Sequence, residues 1–255
     1  MGEDGPRGHP APSRLKLGAA GVAMTSDGDG DLSEKRRALY GRSRGKPLRP
    51  GQERLLAEAA PRLDVAPRVL ASRSLFAVPV RDTWLEIGFG SGEHLIDQAL
   101  VHPDIGFVGC EPFLNGLVAA VAAVERERLP NVRLRRGDAQ ELLAAAPDAY
   151  FGRIFILYPD PWPKRRHRKR RVISDAMIGL LGRTLRPGGE VRFATDIDDY
   201  AGWTLKRFLA APDFRWKAAR ARDWRDPWPN WRPTRYEAKA RKAGRGSVYL
   251  TFVRV

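Results

Sequence analysis

Short apolar runs alternate with stretches of helical period from Thr83 to the C-terminus. The apolar runs have the length and the turn-residue boundaries of strands, and they predict strands at residues 83–87, 105–110, 132–136, 151–158, 190–195 and 247–255. The periodic stretches predict helices at residues 93–101, 115–128, 172–184 and 200–209. Strands that alternate with helices indicate an α/β fold with a doubly wound sheet and right-handed crossovers.

The chain before the first predicted strand has three parts. Residues 1–33 are rich in Gly, Ala, Asp and Ser and lack the apolar segment of a secretory signal, so we predict a disordered leader. Residues 35–49 contain seven Lys or Arg and no acid, which fits an arm on a phosphate backbone or a solvated basic linker. Residues 52–60 predict a helix that stops at Pro61, and with the mixed stretch 65–77 they indicate a helical cap on a single domain of residues 34–255.

Gly88, Gly90 and Gly92 follow the first predicted strand and open a turn into the next helix. Glycine adopts positive φ freely and lets a ligand rest against the main chain, so this turn predicts a nucleotide-cofactor site; an ordinary loop is the alternative. Glu86 stands just before the first glycine, where a carboxylate would repel the pyrophosphate of a dinucleotide. A carboxylate there suits the cationic sulfonium and amino groups of S-adenosylmethionine.

Acidic residues also follow the second and third predicted strands. Glu111 lies 25 residues after Glu86, close to the ~20-residue spacing at which an acid meets the ribose hydroxyls of an adenosine cofactor. Asp138 follows the third strand, where it is a candidate acceptor for the adenine amino group and equally a candidate helix N-cap.

A proline-rich loop follows the fourth predicted strand, with the sequence Pro159-Asp160-Pro161-Trp162-Pro163-Lys164. Proline fixes φ, so this loop is predicted to hold Asp160, Trp162 and Lys164 stiffly at the ligand-binding edge of the sheet; a purely structural turn is the alternative. Residues 164–171 are all Lys or Arg except His167. Like charges at that density repel one another, and a phosphate backbone would relieve the repulsion.

Composition narrows the class of partner. Lys and Arg number 45 against 30 Asp and Glu, the formal net charge is +15, and the pI is near 10.6; this charge and its clustering indicate a polyanion. No apolar run approaches the roughly 20 residues of a membrane span. The single cysteine, Cys110, excludes an internal disulfide framework and a cysteine-rich zinc site, and we expect it in the core of a protein from a reducing compartment.

These features together predict methyl transfer from S-adenosylmethionine to a nucleic acid. No zinc-ligand spacing, G-x-S-x-G elbow or G-x-x-x-x-G-K-[ST] loop in the sequence indicates hydrolysis or nucleoside triphosphate chemistry. Four tryptophans near the C-terminus are candidates for base stacking, but we expect most of them at the edge of the core. They are Trp216, Trp224, Trp228 and Trp231.

Four stretches of the sequence resemble the TrmB-type tRNA (guanine-N7)-methyltransferase family. They are Leu85-Glu86-Ile87-Gly88-Phe89-Gly90-Ser91-Gly92, the string Pro159-Asp160-Pro161-Trp162-Pro163-Lys164 with its basic continuation, Ala194-Thr195-Asp196, and Thr234-Arg235-Tyr236-Glu237. The proline-rich string is the most specific of them, and the resemblance covers about residues 35–255. Arg36-Arg37 and Gly41-Arg42 also resemble the basic arm of the family, which is often longer, and the family varies the residue before Glu237.

The resemblance implies a class I S-adenosylmethionine-dependent methyltransferase fold. That fold is a Rossmann-like, mostly parallel seven-stranded sheet with helices on both faces and a reversed strand at the edge. The implied reaction methylates N7 of a guanine in the tRNA variable loop, at tRNA position 46.

The resemblance also implies roles for individual residues. The cofactor-binding residues would be Glu86, Gly88, Gly90, Glu111, Asp138 and Asp160, with Asp160 also catalytic. The substrate-binding residues would be Lys164, Asp196, Thr234, Arg235, Tyr236 and Glu237. The RNA-interacting segment would be Arg166, His167, Arg168, Lys169, Arg170 and Arg171.

Two other classes of protein share part of this pattern. A small-molecule methyltransferase would have the cofactor residues but no reason for the basic run, and a catalytically silent RNA-binding module would have no reason for the cofactor acids. We expect a cytoplasmic enzyme with tRNA as its partner, no membrane association and no metal. We expect a monomer, with a homodimer as the alternative.

Overall fold

The structure is a computed structural model that describes residues 1–2, 41, 43–66, 70 and 75–255. Contacts divide the chain into two units, Met1–Ala38 and Leu39–Val255. The features below all belong to the second unit. The predicted leader apart from its first two residues, arm residues 35–40 and 42, and residues 67–69 and 71–74 of the predicted cap lie outside the described residues.

Seven strands among the described residues form one sheet, in the order β3-β2-β1-β4-β5-β7-β6. They are β1 (Asp82–Ile87), β2 (Ile105–Cys110), β3 (Val132–Arg135), β4 (Phe151–Leu157), β5 (Leu185–Thr195), β6 (Phe214–Trp216) and β7 (Val248–Arg254). Strands β1 to β5 are parallel, and β7 is antiparallel to both of its neighbours. The predicted fold class is confirmed.

The position of the reversed strand differs from the one that the resemblance implied. Strand β7 is not at the edge, because the three-residue strand β6 pairs with its outer side and takes the edge position. Strand β5 also begins at Leu185 rather than Glu190, and its register against β4 shifts between Phe151 and Arg153. Gly188 has a φ of 77° inside this irregular stretch, so the Pro-Gly-Gly sequence makes a bulge within the strand.

Helices cover both faces of the sheet, which is why β1 and β2 are buried along their whole length. Helices α3 (Glu93–Val101) and α4 (Leu114–Glu127) pack on one face. Helices α5 (Ala139–Ala145), α6 (Asp175–Thr184) and α7 (Asp198–Leu209) pack on the other face. Cys110 is buried in the second of these cores, as predicted.

The segments outside this layered centre fall into two groups. Helices α1 (Pro50–Glu58) and α2 (Ala60–Leu63) form the predicted cap, and Pro61 sits in the first turn of α2, where its missing N–H costs nothing. Near the C-terminus are the short α8 (Arg222–Arg225) and α9 (Arg235–Lys242). The four C-terminal tryptophans pack at the edges of the two cores, as expected for most of them.

Candidate active site

One edge of the sheet collects an acidic residue from each of five parallel strands. Parallel strands have their carboxyl ends at the same edge, so residues that follow them in sequence come together in space. Glu86 lies near the end of β1, and Glu111, Asp138, Asp160 and Asp196 follow β2, β3, β4 and β5. The structure therefore brings the predicted cofactor acids to one edge.

The glycine turn between β1 and α3 is left-handed at all three glycines. The φ angles are 74° at Gly88, 58° at Gly90 and 81° at Gly92, a region that side chains rarely adopt. Helix α4 packs tightly against this turn, since a Cβ on Gly116 would lie only 2.2 Å from the carbonyl oxygen of Gly90. This geometry therefore requires glycine both in the turn and at Gly116 of α4. Sequence analysis identified the glycines of the turn but not Gly116.

Glu111 fastens this turn to the second strand. Its Oε2 accepts a hydrogen bond from the Gly90 N–H at 2.7 Å, and its Oε1 accepts one from the Phe113 N–H at 2.9 Å. Burial raises the pKa of Glu111 above its ordinary value, and the neighbouring charges of Asp160 and Glu86 also raise it, although the two N–H groups oppose them. Asp160 and Glu86 therefore both lie close enough to act on Glu111, and a cation near these carboxyl groups would be stabilised.

Glu86 has a partner that sequence analysis missed. His94 of α3 places Nδ1 at 2.7 Å from Glu86 Oε2, and each side chain is only 4% exposed. The imidazole also packs edge-on against Phe155, with ring centroids 4.6 Å apart, and lies 5.2 Å from the ring of Trp231. The sequence signal was a histidine on the sheet-facing side of a predicted helix, which more often marks an ordinary core residue.

The motif Thr234-Arg235-Tyr236-Glu237 lies over the glycine turn. Thr234, Arg235 and Tyr236 line a cavity of about 20 Å³ together with Glu86 and Gly88. This volume is close to that of a single water molecule, so the segment packs closely over the Glu86 carboxylate. Two stretches more than a hundred residues apart in sequence, the glycine turn and this motif, therefore form one site.

Ion pairs attach this segment to α3. Arg235 places Nε 3.5 Å from Glu93 Oε1, and its backbone N–H donates to Glu93 Oε2 at 3.2 Å. Arg232 pairs with Asp97 one turn further along α3, at 3.0 Å. Neither Glu93 nor Asp97 was singled out from the sequence, because acids on a predicted helix usually face solvent.

The four residues of the motif have different surroundings. Thr234 is the N-cap of α9, and its hydroxyl accepts the Glu237 N–H at 3.3 Å. Glu237 is buried and accepts a hydrogen bond from Trp231 Nε1 at 2.7 Å. Arg235 and Tyr236 are exposed, so they are the members of the motif whose side chains face solvent beside the cavity.

The proline-rich loop carries backbone strain at two residues. Tyr158 and Trp162 have φ angles of 48° and 42°, values that are costly for residues with a Cβ. Asp160 lies between them and is exposed. Its charge acts on Glu111, so the predicted catalytic carboxylate lies at the same edge of the sheet as Glu111.

The basic run forms a 3₁₀ helix at Arg165–Arg170. Lys164, Arg165, Arg166 and Lys169 are exposed. The others interact with the protein, since Arg168 pairs with Asp199 at 2.6 Å, the Arg170 guanidinium lies 4.9 Å from the Trp162 ring centroid, and His167 stacks edge-on with the same ring at 6.0 Å. The run is therefore only partly a solvent-facing surface.

Arg171 corrects the RNA-interacting segment implied by the resemblance. Its side chain is fully buried, with 0% exposure, and it donates from Nε to the carbonyl oxygen of Pro161 at 2.8 Å. A buried guanidinium cannot reach a phosphate group, so the contact with RNA predicted for this residue does not fit the structure.

Asp138 and Asp196, two of the predicted site acids, also bond to the protein itself. Asp138 is the N-cap of α5, and its Oδ1 accepts the Gln140 N–H at 2.9 Å; the N-cap interpretation is confirmed, and the adenine contact stays a prediction. Asp196 pairs with Arg245 at 2.8 Å, which links the end of β5 to the segment before β7.

The described part of the basic arm runs beside the N-terminus of α4. Asn115 accepts the Gly45 N–H at 2.6 Å and donates to the Lys46 carbonyl at 2.8 Å. The Leu114 N–H donates to the carbonyl of Ser43 at 3.0 Å. These bonds place the arm beside the residues that follow Glu111, and sequence analysis did not identify Asn115 as its anchor.

Two further properties concern the described residues as a whole. No group of three or more His, Cys, Asp or Glu side chains in the described ranges is arranged to hold a metal ion. None of the helices in that part of the chain combines the length and apolar character needed to cross a bilayer.

Comparison with known proteins identifies the family. Residues 81–250 match a family described as "Putative methyltransferase". The chain is 47% identical over 220 residues to the tRNA (guanine-N(7)-)-methyltransferase of Nitrobacter winogradskyi, covering 85% of this chain and 86% of that protein. It is 50% identical over 221 residues to the tRNA (guanine-N(7)-)-methyltransferase of Chelativorans sp., covering 86% of this chain and 95% of that protein. The chain belongs to this family of tRNA (guanine-N(7)-)-methyltransferases.

Membership of this family confirms the resemblance and the cofactor class predicted from the sequence. Among solved structures, the aminoglycoside resistance methyltransferase NpmB1 superposes with a TM-score of 0.52 at 14% identity, covering 75% of this chain and 95% of that chain. At that identity the likeness shows a shared fold alone. The residues present also fit S-adenosylmethionine, since the carboxyl groups of Glu86 and Asp160 both act on Glu111 beside a left-handed glycine turn.

Proposed function

We propose that this protein transfers the methyl group of S-adenosylmethionine to N7 of a guanine in the tRNA variable loop, at tRNA position 46. Membership of the family supports the reaction and the class of RNA. The observation that carries the proposal is the row of carboxylates at one edge of the sheet, next to an exposed basic segment. S-adenosylmethionine, when bound, supplies a methyl group activated by its sulfonium charge.

In this proposal three acids bind the cofactor. Glu86, which lines the small cavity, suits the amino group, and Glu111 suits the ribose hydroxyls. Asp138 uses Oδ1 as the cap of α5, so its second carboxylate oxygen is the candidate acceptor for the adenine amino group. Gly88 and Gly90 permit close approach of the ligand to the main chain between these acids.

In this proposal Asp160 orients the guanine and stabilises the charge that develops on it. Guanine N7 carries a lone pair and no proton, so its attack on a methyl group needs alignment rather than an obligatory general base. As the methyl group moves, positive charge develops on the purine, and a nearby carboxylate stabilises it or accepts hydrogen bonds from guanine N1 and N2. The stiff proline-rich loop fixes Asp160 for either role.

The RNA-binding surface that we propose combines three segments. The exposed basic residues near the proline-rich loop would contact phosphates, with Arg168, Arg170 and His167 beside them. Arg44 and Lys46 of the arm would extend that surface. Arg235 and Tyr236 of the substrate motif would contact the RNA directly. Thr234 and Glu237 would act by fixing the geometry of α9. Asp196 would act through its ion pair with Arg245. We propose that the enzyme acts as a monomer in the cytoplasm.

The decisive experiment locates the methyl group. Purified protein is incubated with tRNA and methyl-labelled S-adenosylmethionine, and the product is cleaved chemically at N7-methylguanosine. We expect one cleavage site, at position 46, and no label in a matched tRNA that carries adenine there. Label at another nucleotide would refute the assignment of position. An absence of label together with no shift of tRNA in a gel would favour a small-molecule methyltransferase.

A further inference from the structure

Arg171 occupies an interior position that its place in the basic run does not suggest. Its Nε donates to the Pro161 carbonyl at 2.8 Å, and its Nη2 pairs with Asp199 at the start of α7. A guanidinium loses hydration when it is buried, so such a residue is stable only with close polar partners. The two partners of Arg171 connect the proline-rich loop to α7.

Helix α7 surrounds this guanidinium with aromatic rings. The Arg171 Cζ lies 4.6 Å from the Tyr200 ring centroid and 5.0 Å from that of Trp203, within the range of cation–π attraction. Trp203 also donates from Nε1 to the carbonyl of Ile173 at 2.9 Å. The chain just after the basic run is therefore packed firmly against α7, and the guanidinium has little freedom to move.

The carbonyl that Arg171 binds belongs to the residue next to Asp160. This peptide group joins Pro161 to Trp162, and Trp162 has a left-handed φ of 42°. A strained conformation persists only where the surroundings determine it. The hydrogen bond from Arg171 is one such determinant, because it fixes the direction of the carbonyl immediately after the Asp160 residue.

We propose that Arg171 is a positioning residue for methyl transfer, which holds the Asp160 loop in its reactive geometry and is itself oriented by Asp199. The inference rests on the role proposed above for Asp160. Arg171 acts on the reaction through Pro161 rather than through RNA. Arg171 thus has a different role from the exposed basic residues that precede it, although all of them belong to one run in the sequence.

Substitution of Arg171 separates positioning from RNA binding. Arg171→Met retains an unbranched apolar side chain and removes the donors, and we expect kcat at saturating tRNA to fall on the order of tenfold to a hundredfold. The dissociation constant for tRNA and its salt dependence should stay within about twofold of wild type, since no phosphate contact is lost. Arg171→Lys should give an intermediate kcat, because an ammonium group cannot make the same forked contacts.

Arg166→Met is the matched contrast, because Arg166 is an exposed arginine in the same run. This substitution should weaken tRNA binding and flatten the plot of log affinity against log salt by on the order of one unit. An Arg171→Met protein that shows this same pattern would overturn the proposal, as would one with a wild-type kcat.

A second readout does not depend on activity. The His167 backbone amide donates to the carbonyl oxygen of Lys164 at the end of the loop, at 2.7 Å. Hydrogen exchange of this amide should be faster in Arg171→Met than in wild type, with unchanged exchange in β1 and β2. Asp199→Asn alters an exposed carboxylate, and it keeps the test decisive if Arg171→Met fails to fold. We expect Asp199→Asn to accelerate loop exchange and to lower kcat several-fold at saturating tRNA. Affinity for tRNA is not a readout for this variant, because Asp199 also pairs with Arg168.

Unchanged loop exchange in Asp199→Asn and Arg171→Lys would overturn the positioning role. If wild-type protein instead exchanged slowly in this loop but methylated no guanine N7, the proposed function would fail and the loop anchor would stand. The two proposals can therefore fail separately.

Discussion

His94 Nδ1 lies 2.7 Å from Glu86 Oε2 in the interior beneath the glycine turn. An ionised carboxylate accepts hydrogen bonds and does not donate them, so with Glu86 ionised this contact requires the tautomer of His94 that has its proton on Nδ1. This bond occupies one oxygen of Glu86 and sets the direction of the other. His94 therefore orients the carboxylate that we assign to the amino group of the cofactor.

Removing the His94 donor should weaken cofactor binding. His94→Phe keeps an aromatic ring against Phe155 and removes the hydrogen bond. We expect the affinity for S-adenosylmethionine, measured by calorimetry, to fall about tenfold, which corresponds to about 1.4 kcal/mol. His94→Asn, whose amide N–H can replace Nδ1–H, should lose less affinity. Equal losses in the two variants would assign the effect to packing instead.

Asp160→Asn should separate chemistry from cofactor binding. The amide has nearly the shape of the carboxylate but no negative charge, so it cannot stabilise the positive charge that develops on the purine. We expect kcat to fall at least a hundredfold, while the dissociation constant for S-adenosylmethionine rises less than tenfold. Single-turnover methylation and calorimetry measure the two quantities, and equal losses in both would contradict this role for Asp160.

The affinity for S-adenosylmethionine should depend on pH through Glu111. Burial raises the pKa of Glu111 above its ordinary value, and the nearby carboxyl groups of Asp160 and Glu86 add to the rise. In the free protein Glu111 therefore gains a proton at a higher pH than an ordinary glutamate does. A protonated Glu111 is a poorer acceptor and carries no charge for a cationic ligand, so the affinity should fall as the pH decreases from 7 toward 4.5.

In the free protein, the same raised pKa makes the free energy of unfolding change with pH in the direction opposite to the affinity for S-adenosylmethionine. A carboxyl group with a raised folded-state pKa contributes stability below its unfolded-state pKa and loses that contribution as the pH rises through the folded-state pKa. Because the affinity for S-adenosylmethionine should be higher at pH 7 than near pH 4.5, the rise in melting temperature that this ligand causes should also be larger at pH 7. Glu111→Gln should bind weakly with a smaller dependence on pH, and an unchanged dependence in this variant would assign the titration to another group.

Gly116→Ala should damage the cofactor site although alanine favours helices. A Cβ at Gly116 in α4 would lie 2.2 Å from the Gly90 carbonyl oxygen, so the glycine turn would have to shift. We expect a loss of about 1–3 kcal/mol of unfolding free energy from overpacking and at least a tenfold weaker affinity for S-adenosylmethionine. Thermal unfolding and calorimetry measure the two effects.

Gly179→Ala is the control for this substitution. Gly179 is also inside a helix, α6, but a Cβ there would have no atom within 4 Å. Helix propensity alone should then stabilise the protein by about 0.5–1 kcal/mol. A similar gain in Gly116→Ala would show that the glycine turn tolerates the added methyl group.

Sequence analysis predicted the site best where a residue lies at or near the carboxyl end of a strand. The periodicity located β1 to β5, and parallel strands end at one edge, so the sequence assigns Glu86, Glu111 and Asp160 to one site. Sequence analysis was less informative for residues whose contact partners are distant in sequence. Nothing local distinguishes Arg171 from the six Lys or Arg residues just before it in the 3₁₀ helix and its flank, because burial depends on how α7 packs.

The position of β7 has the same explanation. Its alternating pattern predicted a strand, but the pattern contains neither the direction of the strand nor its neighbours, which depend on the pairing of β5 and β6 with it. Sequence analysis also did not single out His94 or Gly116, because their importance comes from contacts with Glu86 and Gly90 in other elements.

The sequence by itself determined the order of β1 to β5 and β7 and of the helices α3, α4, α6 and α7, together with the family, the cofactor class and the acids at the strand ends. Those features depend on periodicity and on short motifs, in which the informative residues are close together in the chain. Only the tertiary structure decided which charges are buried and which are exposed, since burial results from the packing of elements that are far apart in sequence. That distinction separates Arg171, inside against α7, from Arg166 on the surface.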